Sequence, residues 1–448
     1  MLNRRNILKA SVASPLLAAL PLSGLEGICS AAKKGKRPKV AAIYTSFTYR
    51  SHAHVILENF LEPYLFNGVA TDPGVDVVSI YRDQKPQGDM TDAVAAKYKI
   101  PVYDSIAEAL CVGGDELAVD AVLSIGEHGS YPQNELGQVM YPRKRFFDEI
   151  VAVMKKSNRF VPMFNDKHLS YRFDWAKEMY NTAKDLGIPY LAGSSVPLAQ
   201  RRPAVEVKPG TRMAEAVAVH GGPVESYDFH GLELLQSMVE FRKGGESGIK
   251  RITFYEGEQV FESAKAGIWD IELGKAAIKA ELGYVPENWG HLEKENEPEV
   301  GLHAIVIDYL DGFKGTVLRI GRDDTRWNFA YKVREDSEPI ATEFYVGPWN
   351  NRNLFKALSH AIQQTFITGK PVYPVERTLL VTGALDVMMH ARKAPGHPYH
   401  AKQLEIPYKP VDFRDMREYG KSWDIITEET PQPNAFDNGL PAHMQIKR

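Results

Sequence analysis

The regular exchange of short apolar runs for longer amphipathic ones is what most restricts the fold of this chain. From Lys39 onward the pattern predicts strands at Val40–Tyr44, Val75–Tyr81, Pro101–Tyr103, Val119–Ile125, Arg159–Phe164 and Ile188–Ala192. Between them it predicts helices at Ala53–Phe66, Thr91–Tyr98, Ser105–Leu110, Lys144–Lys155 and Tyr171–Leu186. Strands that alternate with helices in this way form a parallel, doubly wound sheet, because a parallel strand needs a crossover and the crossover is right-handed. Ligands of such sheets bind outside the carboxyl ends of the strands. The fifth predicted strand ends in Asn165-Asp166-Lys167-His168, an amide, a carboxylate, an amine and an imidazole in a row. That turn is therefore the first candidate for a site.

A chain of 448 residues with 44% apolar content exceeds what one such sheet needs, so a second domain is expected. Residues 39–200 make the first domain and 201–408 the second. The second reads as α+β, with an open, mostly antiparallel sheet. Its strands are Leu302–Tyr309 and Gly315–Ile320 around Asp311-Gly312, then Trp327–Val333, Glu343–Val346 and Leu404–Tyr408. Leu354–Phe366 and Val375–His390 are its amphipathic helices, and 409–448 is an arm or tail rich in Pro, Glu and Asn. A net charge of −3 without long basic runs argues against a nucleic-acid partner. With Cys29 in the leader and Cys111 alone in the body, no disulfide is expected within the mature chain.

Residues 1–32 read as a leader. Arg4-Arg5-Asn6-Ile7-Leu8-Lys9 precedes a mildly apolar run from Ala10 to Leu25, and Ser30-Ala31-Ala32 offers a small-residue cleavage site. The run is shorter than the ~20 residues that span a bilayer. The segment resembles a twin-arginine export signal. This implies the twin-arginine machinery as a partner and a periplasmic or secreted destination for an already folded protein.

The turn after the first strand, Thr45-Ser46-Phe47-Thr48-Tyr49-Arg50-Ser51-His52, lacks the glycines of a dinucleotide fingerprint. A phosphate on the following helix start would rely instead on Thr45, Thr48 and Arg50. Arg82, at the end of the second strand, suits a 2′-phosphate and so NADP over NAD. Ala93–Ser105, Val119-Asp120-Ala121-Val122 and Gly126-Glu127-His128 resemble the second crossover, the fourth strand and the following His turn of the Gfo/Idh/MocA family, the glucose–fructose oxidoreductases and inositol dehydrogenases. Lys167 stands at the lysine of that family's Glu-Lys-Pro motif, with Asp166 and His168 in place of glutamate and proline. In the second domain, Gly221-Gly222 followed by His230 is similar to the family's glycine pair and histidine. Ser226 stands at the usual aspartate, Asp228 lies nearby, and Glu233 follows His230 at a spacing that shares a helix face.

The resemblance implies a Rossmann-like first domain, bound NAD(P), and hydride transfer at a hydroxyl carbon of a sugar, polyol or glycoside. Lys167, His230 and Asp228 are the implied catalytic residues. Thr45, Thr48, Arg50, Arg82, Glu127, His128 and Asp166 are the implied cofactor contacts, and Glu233 is expected to orient His230. The resemblance also implies a homo-oligomer paired through the open face of the second sheet. Two other readings stand beside it. One is a metal-assisted lyase or hydrolase using His52, His54, Glu127, His128, Asp166, His168, His230 and Glu233, since imidazole with carboxylate suits zinc, manganese or iron. The other is a non-catalytic carbohydrate-binding protein. The leader yields its own prediction: the precursor with Arg4→Lys and Arg5→Lys stays in the cytoplasm on fractionation, and unchanged export of it would exclude the twin-arginine route.

Overall fold

The computed structural model describes residues 36–292, 301–336 and 338–446. The leader at 1–32 lies outside them. The first sheet takes the strands in the order that the alternation implies. Its elements are β1 (Lys39–Tyr44), α1 (His52–Leu61), a hairpin of β2 (Tyr64–Phe66) and β3 (Val69–Thr71), β4 (Asp76–Arg82), α2 (Thr91–Tyr98), β5 (Val102–Tyr103), α3 (Ile106–Cys111), β6 (Ala121–Ile125), α4 (Arg143–Lys156), β7 (Met163–Asp166), α5 (Phe173–Asp185) and β8 (Tyr190–Gly193). The order across the sheet is β5-β4-β1-β6-β7-β8, with every pair parallel. Setting aside the β2–β3 hairpin, this is the doubly wound order in which the winding reverses between β1 and β6, opening a crevice there. Residues 121–125 of β6 are all buried, as expected for a strand covered on both faces.

Three local expectations are corrected. The first helix does not reach Phe66. It ends at Leu61 because Pro63 disfavours helical backbone just before it, and Asn67-Gly68, at φ 48° and 77°, turns Tyr64–Thr71 into a hairpin. The strand expected at Arg159–Phe164 is shifted to β7, so Asn165 and Asp166 are its last residues rather than part of the turn. Residues Leu404–Tyr408 form no strand: a 3₁₀ turn covers Lys402–Leu404, and Tyr408 makes an isolated bridge to Glu246.

The second sheet is mixed and mostly antiparallel. It is built from β9 (Gln200–Arg202), β10 (Met213–His220), β11 (Ile249–Glu256), β12 (His303–Tyr309), β13 (Lys314–Arg319), β14 (Trp327–Val333), β15 (Ile340–Tyr345) and β16 (Pro398–His400), in the order β16-β11-β12-β13-β10-β14-β15-β9. Only β10 and β13 pair in parallel among the described strands of this sheet. One face buries Ala216 and Ala218 of β10 beneath α6 (Ser226–Val239), in a core shared with the first sheet. The other face was expected to be open, and it is not. Helices α7 (Glu258–Lys265) and α8 (Ile271–Leu282) lie over it, so Val217, Val219, Ala304, Val306, Leu318 and Ala330 pack with Trp269, Leu273 and Ile278 in a second core. The physical ground for pairing through that face is thereby removed.

The last two helices return to the first domain's side. α9 (Asn351–Thr368) packs along α1, and α10 (Val375–Ala391) packs against α5 and α6. The arm after 408 is ordered over the described residues and ties to the hairpin. Asn67 Nδ2 donates to Arg417 O at 2.8 Å, and Gly68 N donates to Ser422 Oγ at 3.1 Å. Arg352 of α9, 1% exposed, pairs with Glu58 of α1 at 2.7 Å and donates to the carbonyl oxygens of Pro433, Ala435 and Asp437. Removing one partner of a buried pair leaves an uncompensated charge. We therefore expect Arg352→Met to lose about 3–5 kcal/mol of stability in urea denaturation. A loss below ~1 kcal/mol would show that the arm and α1 do not depend on this guanidinium.

Candidate functional site

A cavity of about 760 Å³ lies where the carboxyl ends of β6 and β7 meet the start of α6 and the start of α9. Its wall holds His52, Glu127, His128, Lys167 and His230, with Tyr227 and Trp327 on the second-domain side and Asn351 and Phe355 from α9. Lys167 is held by two contacts. Its Nζ lies 3.2 Å from Glu127 Oε1 and donates to Ser226 O at 3.2 Å. Glu127 also pairs with the buried Arg143. That contact depends on Gly126, since a Cβ there would lie 2.6 Å from Arg143 Cγ. Burial alone would raise the Glu127 carboxyl, but Lys167 and Arg143 hold it well below the usual carboxylate range.

His52 opens α1 and turns its Nδ1 to Asp166 Oδ2 at 2.6 Å. Asp166 is acceptor-only when ionised, so it accepts the Nδ1–H hydrogen bond and leaves His52 Nε2 as the basic nitrogen. Asp166 Oδ1 accepts the Lys167 N–H at 2.9 Å. Asp166 is thus a brace behind the wall and not a cofactor contact. His230 Nδ1 is 2.7 Å from Ser194 Oγ. Burial, then the charges of Lys167 and His52, push the His230 imidazole well below its usual range, so it is neutral near pH 7. Burial and His52 also push His128 down, to about 4.

Several expected site residues do not reach the cavity. Asp228 is fully buried between His220 and His303 and does not line it, which removes Asp228 as a catalytic candidate. Glu233 does not orient His230 directly. It accepts the Ser194 N–H at 2.6 Å and so steadies the serine that does, while burial raises its own carboxyl to about 7. His54 accepts the Arg50 N–H at 2.7 Å, and His168 Nδ1 donates to Ser170 O at 2.9 Å. Of the eight residues weighed as metal ligands, no three converge on one point among the described residues. Nothing in their sequence spacing marks Arg143, Asn351, Trp327 or Phe355 as site residues; the tertiary fold alone brings them in.

The cofactor contacts expected around the first turn are engaged by the protein itself. Thr45 donates its hydroxyl to Glu127 O at 2.6 Å, and Thr48 N donates to Ser51 Oγ at 3.1 Å. The N–H groups at the start of α1 are taken by side chains, His52 N by His128 Nδ1 at 3.4 Å and His54 N by Ser51 Oγ at 3.4 Å. Arg82 pairs with Asp89 at 3.0 Å and with Asp92 at 2.6 Å. The loop after β6 is clamped across the crevice: Gln84 and Ser130 exchange two hydrogen bonds of 2.8 and 2.9 Å, and Tyr131 donates to Asp83 Oδ2 at 2.6 Å. Phe47 is buried against Phe436 of the arm, with ring centroids 5.7 Å apart. These residues do not fit a pyrophosphate lying on the turn's backbone, which needs open N–H groups and close approach. Arg50 alone of the expected phosphate contacts borders the cavity, and its guanidinium bonds Asn351 Oδ1 at 3.0 and 3.1 Å.

No family model and no curated protein matches the sequence. Solved structures do. A probable dehydrogenase from Thermotoga maritima matches with a TM-score of 0.51 at 10% identity, over 82% of this chain and 99% of its own. GenD2 of gentamicin A biosynthesis, solved in complex with NAD, matches with 0.53 at 13% identity over 82% and 97%. A myo-inositol dehydrogenase from Corynebacterium glutamicum matches with 0.50 at 10% identity over 80% and 98%. The chain has the two-domain fold of Gfo/Idh/MocA-type dehydrogenases.

The depressed His128 gives a pH prediction. Its ordinary value is about 6.5 and its folded value about 4, so the unfolded chain binds more protons between those limits and stability falls as pH drops through them. His128 has φ 68°, which Asn tolerates. We expect His128→Asn to lose about 2 kcal/mol less than the parent between pH 6.5 and 4, a figure discounted for partial exposure. Parallel denaturation curves across that range check this, and identical pH slopes would rule His128 out as the source.

Proposed function

We propose that this protein is an oxidoreductase acting on a hydroxyl-bearing carbon of a sugar or polyol in this cavity. The observation that carries the reading is the arrival of Lys167 from β7 and His230 from α6 in one cavity, beside a His52 braced by Asp166. The dehydrogenase fold supports the reaction class, and the neighbour that holds NAD supports a nicotinamide cofactor, which supplies hydride acceptance when bound. The turn after β1 does not suit an extended dinucleotide, so the roles assigned are those of the chain's own residues.

Lys167, held beside Glu127, donates to a substrate oxygen, stabilising negative charge as the hydroxyl proton leaves. His52 Nε2 takes that proton, because Asp166 holds the ring in the basic tautomer and stabilises the imidazolium that forms. His230, neutral at pH 7, hydrogen-bonds a neighbouring hydroxyl. Tyr227 and Trp327 stack at 5.4 Å and 16°, and both border the cavity as apolar lining for the carbon skeleton of a sugar. Arg50, Gln133 and Asn351 complete the polar lining for further hydroxyls. The filled crevice favours a second reading, a non-redox acid–base reaction such as epimerisation or elimination with the same residues in the same roles.

Two measurements separate these readings. Lys167→Ala and His52→Ala should each lower turnover of an identified sugar or polyol at least ~100-fold while the fold is kept. Protein from the cytoplasm, denatured and analysed by mass spectrometry, should release NAD or NADP if the first reading holds. Turnover without any nucleotide selects the second. Near-native turnover of either variant removes that residue from the mechanism.

A further inference from the structure

Beneath the cavity lies a second cluster of titratable groups that the chemistry above does not use. His220 ends β10 and His303 begins β12, and both stand in register with Arg319 of β13 between them. Asp228, in the first turn of α6, reaches down to both. Its Oδ1 is 3.0 Å from His220 Nε2 and 2.7 Å from His303 Nε2, and the three ligand atoms lie within 4.8 Å of one another. The residues are 0%, 2% and 0% exposed for His220, His303 and Asp228.

The hydrogen bonds around the cluster set its chemistry. His220 Nδ1 is 2.8 Å from Gly221 O, which can only accept, so Nδ1 carries the proton. His220 Nε2 is thereby turned to the Asp228 carboxylate. The carboxylate is fixed from its other side, where Oδ2 accepts the Glu225 N–H at 2.8 Å. Metal-ligating histidines are oriented in the same way, with one ring N–H given to a carbonyl and the other nitrogen turned to the ion. Bonds of about 2.0–2.1 Å at tetrahedral angles place ligand atoms about 3.3 Å apart, so small outward shifts of the imidazoles from Asp228 would suffice. Arg319, the nearby fixed cation, is directed to carbonyls, with Nε 2.6 Å from Gly222 O and an Nη 3.4 Å from Gly301 O.

We propose that His220, Asp228 and His303 bind a divalent cation of the zinc class and that this ion clamps α6 to the second sheet. The site is closed to solvent, so it lacks the open position that a catalytic metal keeps for substrate. The clamp bears on the cavity above it. Trp327 stacks on His220 at 6.0 Å and 14°, and His230 sits against the same indole at 5.4 Å, so the ion would set the floor on which His230 and the Tyr227–Trp327 wall rest. This inference does not depend on the reaction proposed for the cavity, and its test needs no substrate.

The full chain, stripped with chelator and titrated with zinc chloride alone, should take up one equivalent by calorimetry and melt several degrees higher with zinc than without. The cavity variant His52→Ala/His128→Ala should keep that uptake, and Asp228→Asn should lose at least ten-fold in affinity. If Asp228→Asn fails to fold, the cobalt form of the parent decides, since cobalt held by two imidazoles and a carboxylate gives visible bands distinct from those of aqueous cobalt. No uptake by the folded parent, loss of uptake in the cavity variant, or full uptake by Asp228→Asn would each overturn the proposal, leaving a proton as the bridging charge.

Discussion

The buried carboxylate of Glu127 is the constraint on which the site depends. A charge at that depth is tolerated only when cations repay its lost hydration, and here two do so from different elements, Arg143 of α4 and Lys167 after β7. Those pairings fix the carboxyl ends of β6 and β7 relative to one another. Lys167 then extends the network into the second domain through Ser226 O at the start of α6. Lys167 lowers the Glu127 carboxyl, and burial followed by Lys167 lowers the His230 imidazole, so one side chain acts on both groups from between the two domains.

Most of the fold was legible in the sequence because periodicity is a local signal. β1, β4, β6, α2 and α10 fall within a residue or two of where their apolar patterns placed them. Failures came where a local marker was passed over, as at Asn67-Gly68, or where the outcome depended on a distant partner. The second sheet shows the latter. β10 was not among the strands expected from the pattern, and nothing local indicated that α7 and α8 would cover the outer face of the sheet.

The site was legible in part for the same reason. Lys167, His230, Glu127 and His128 line the cavity because they sit at strand and helix ends that the fold itself gathers. Asp228, Arg82 and Thr45 were plausible by position, yet each meets a stronger partner that no spacing reveals: the His220–His303 pair, the Asp89–Asp92 pair, and the carbonyl of Glu127. His52 is the opposite case. It was weighed only as a ligand, and its value as a base appears once Asp166, 114 positions away, is found 2.6 Å from its ring.

The filled crevice and the intact cavity belong to one argument. Glycines in a dinucleotide turn exist to expose backbone N–H groups, and here side chains occupy both the space and the N–H groups. Thr45, Gln84, Ser130 and Tyr131 then knit the loops after β1, β4 and β6 together, and Phe436 seals Phe47 from the arm side. Opening that seam would sacrifice four hydrogen bonds, of which the Thr45–Glu127 bond is buried, together with an aromatic contact. The Thr45 bond ends on the backbone of Glu127, whose side chain anchors Lys167 and Arg143, so the seam and the cavity network share that residue. The chain keeps the Lys167–Glu127–Arg143 network paired in the cavity while its own side chains fill the turn after β1.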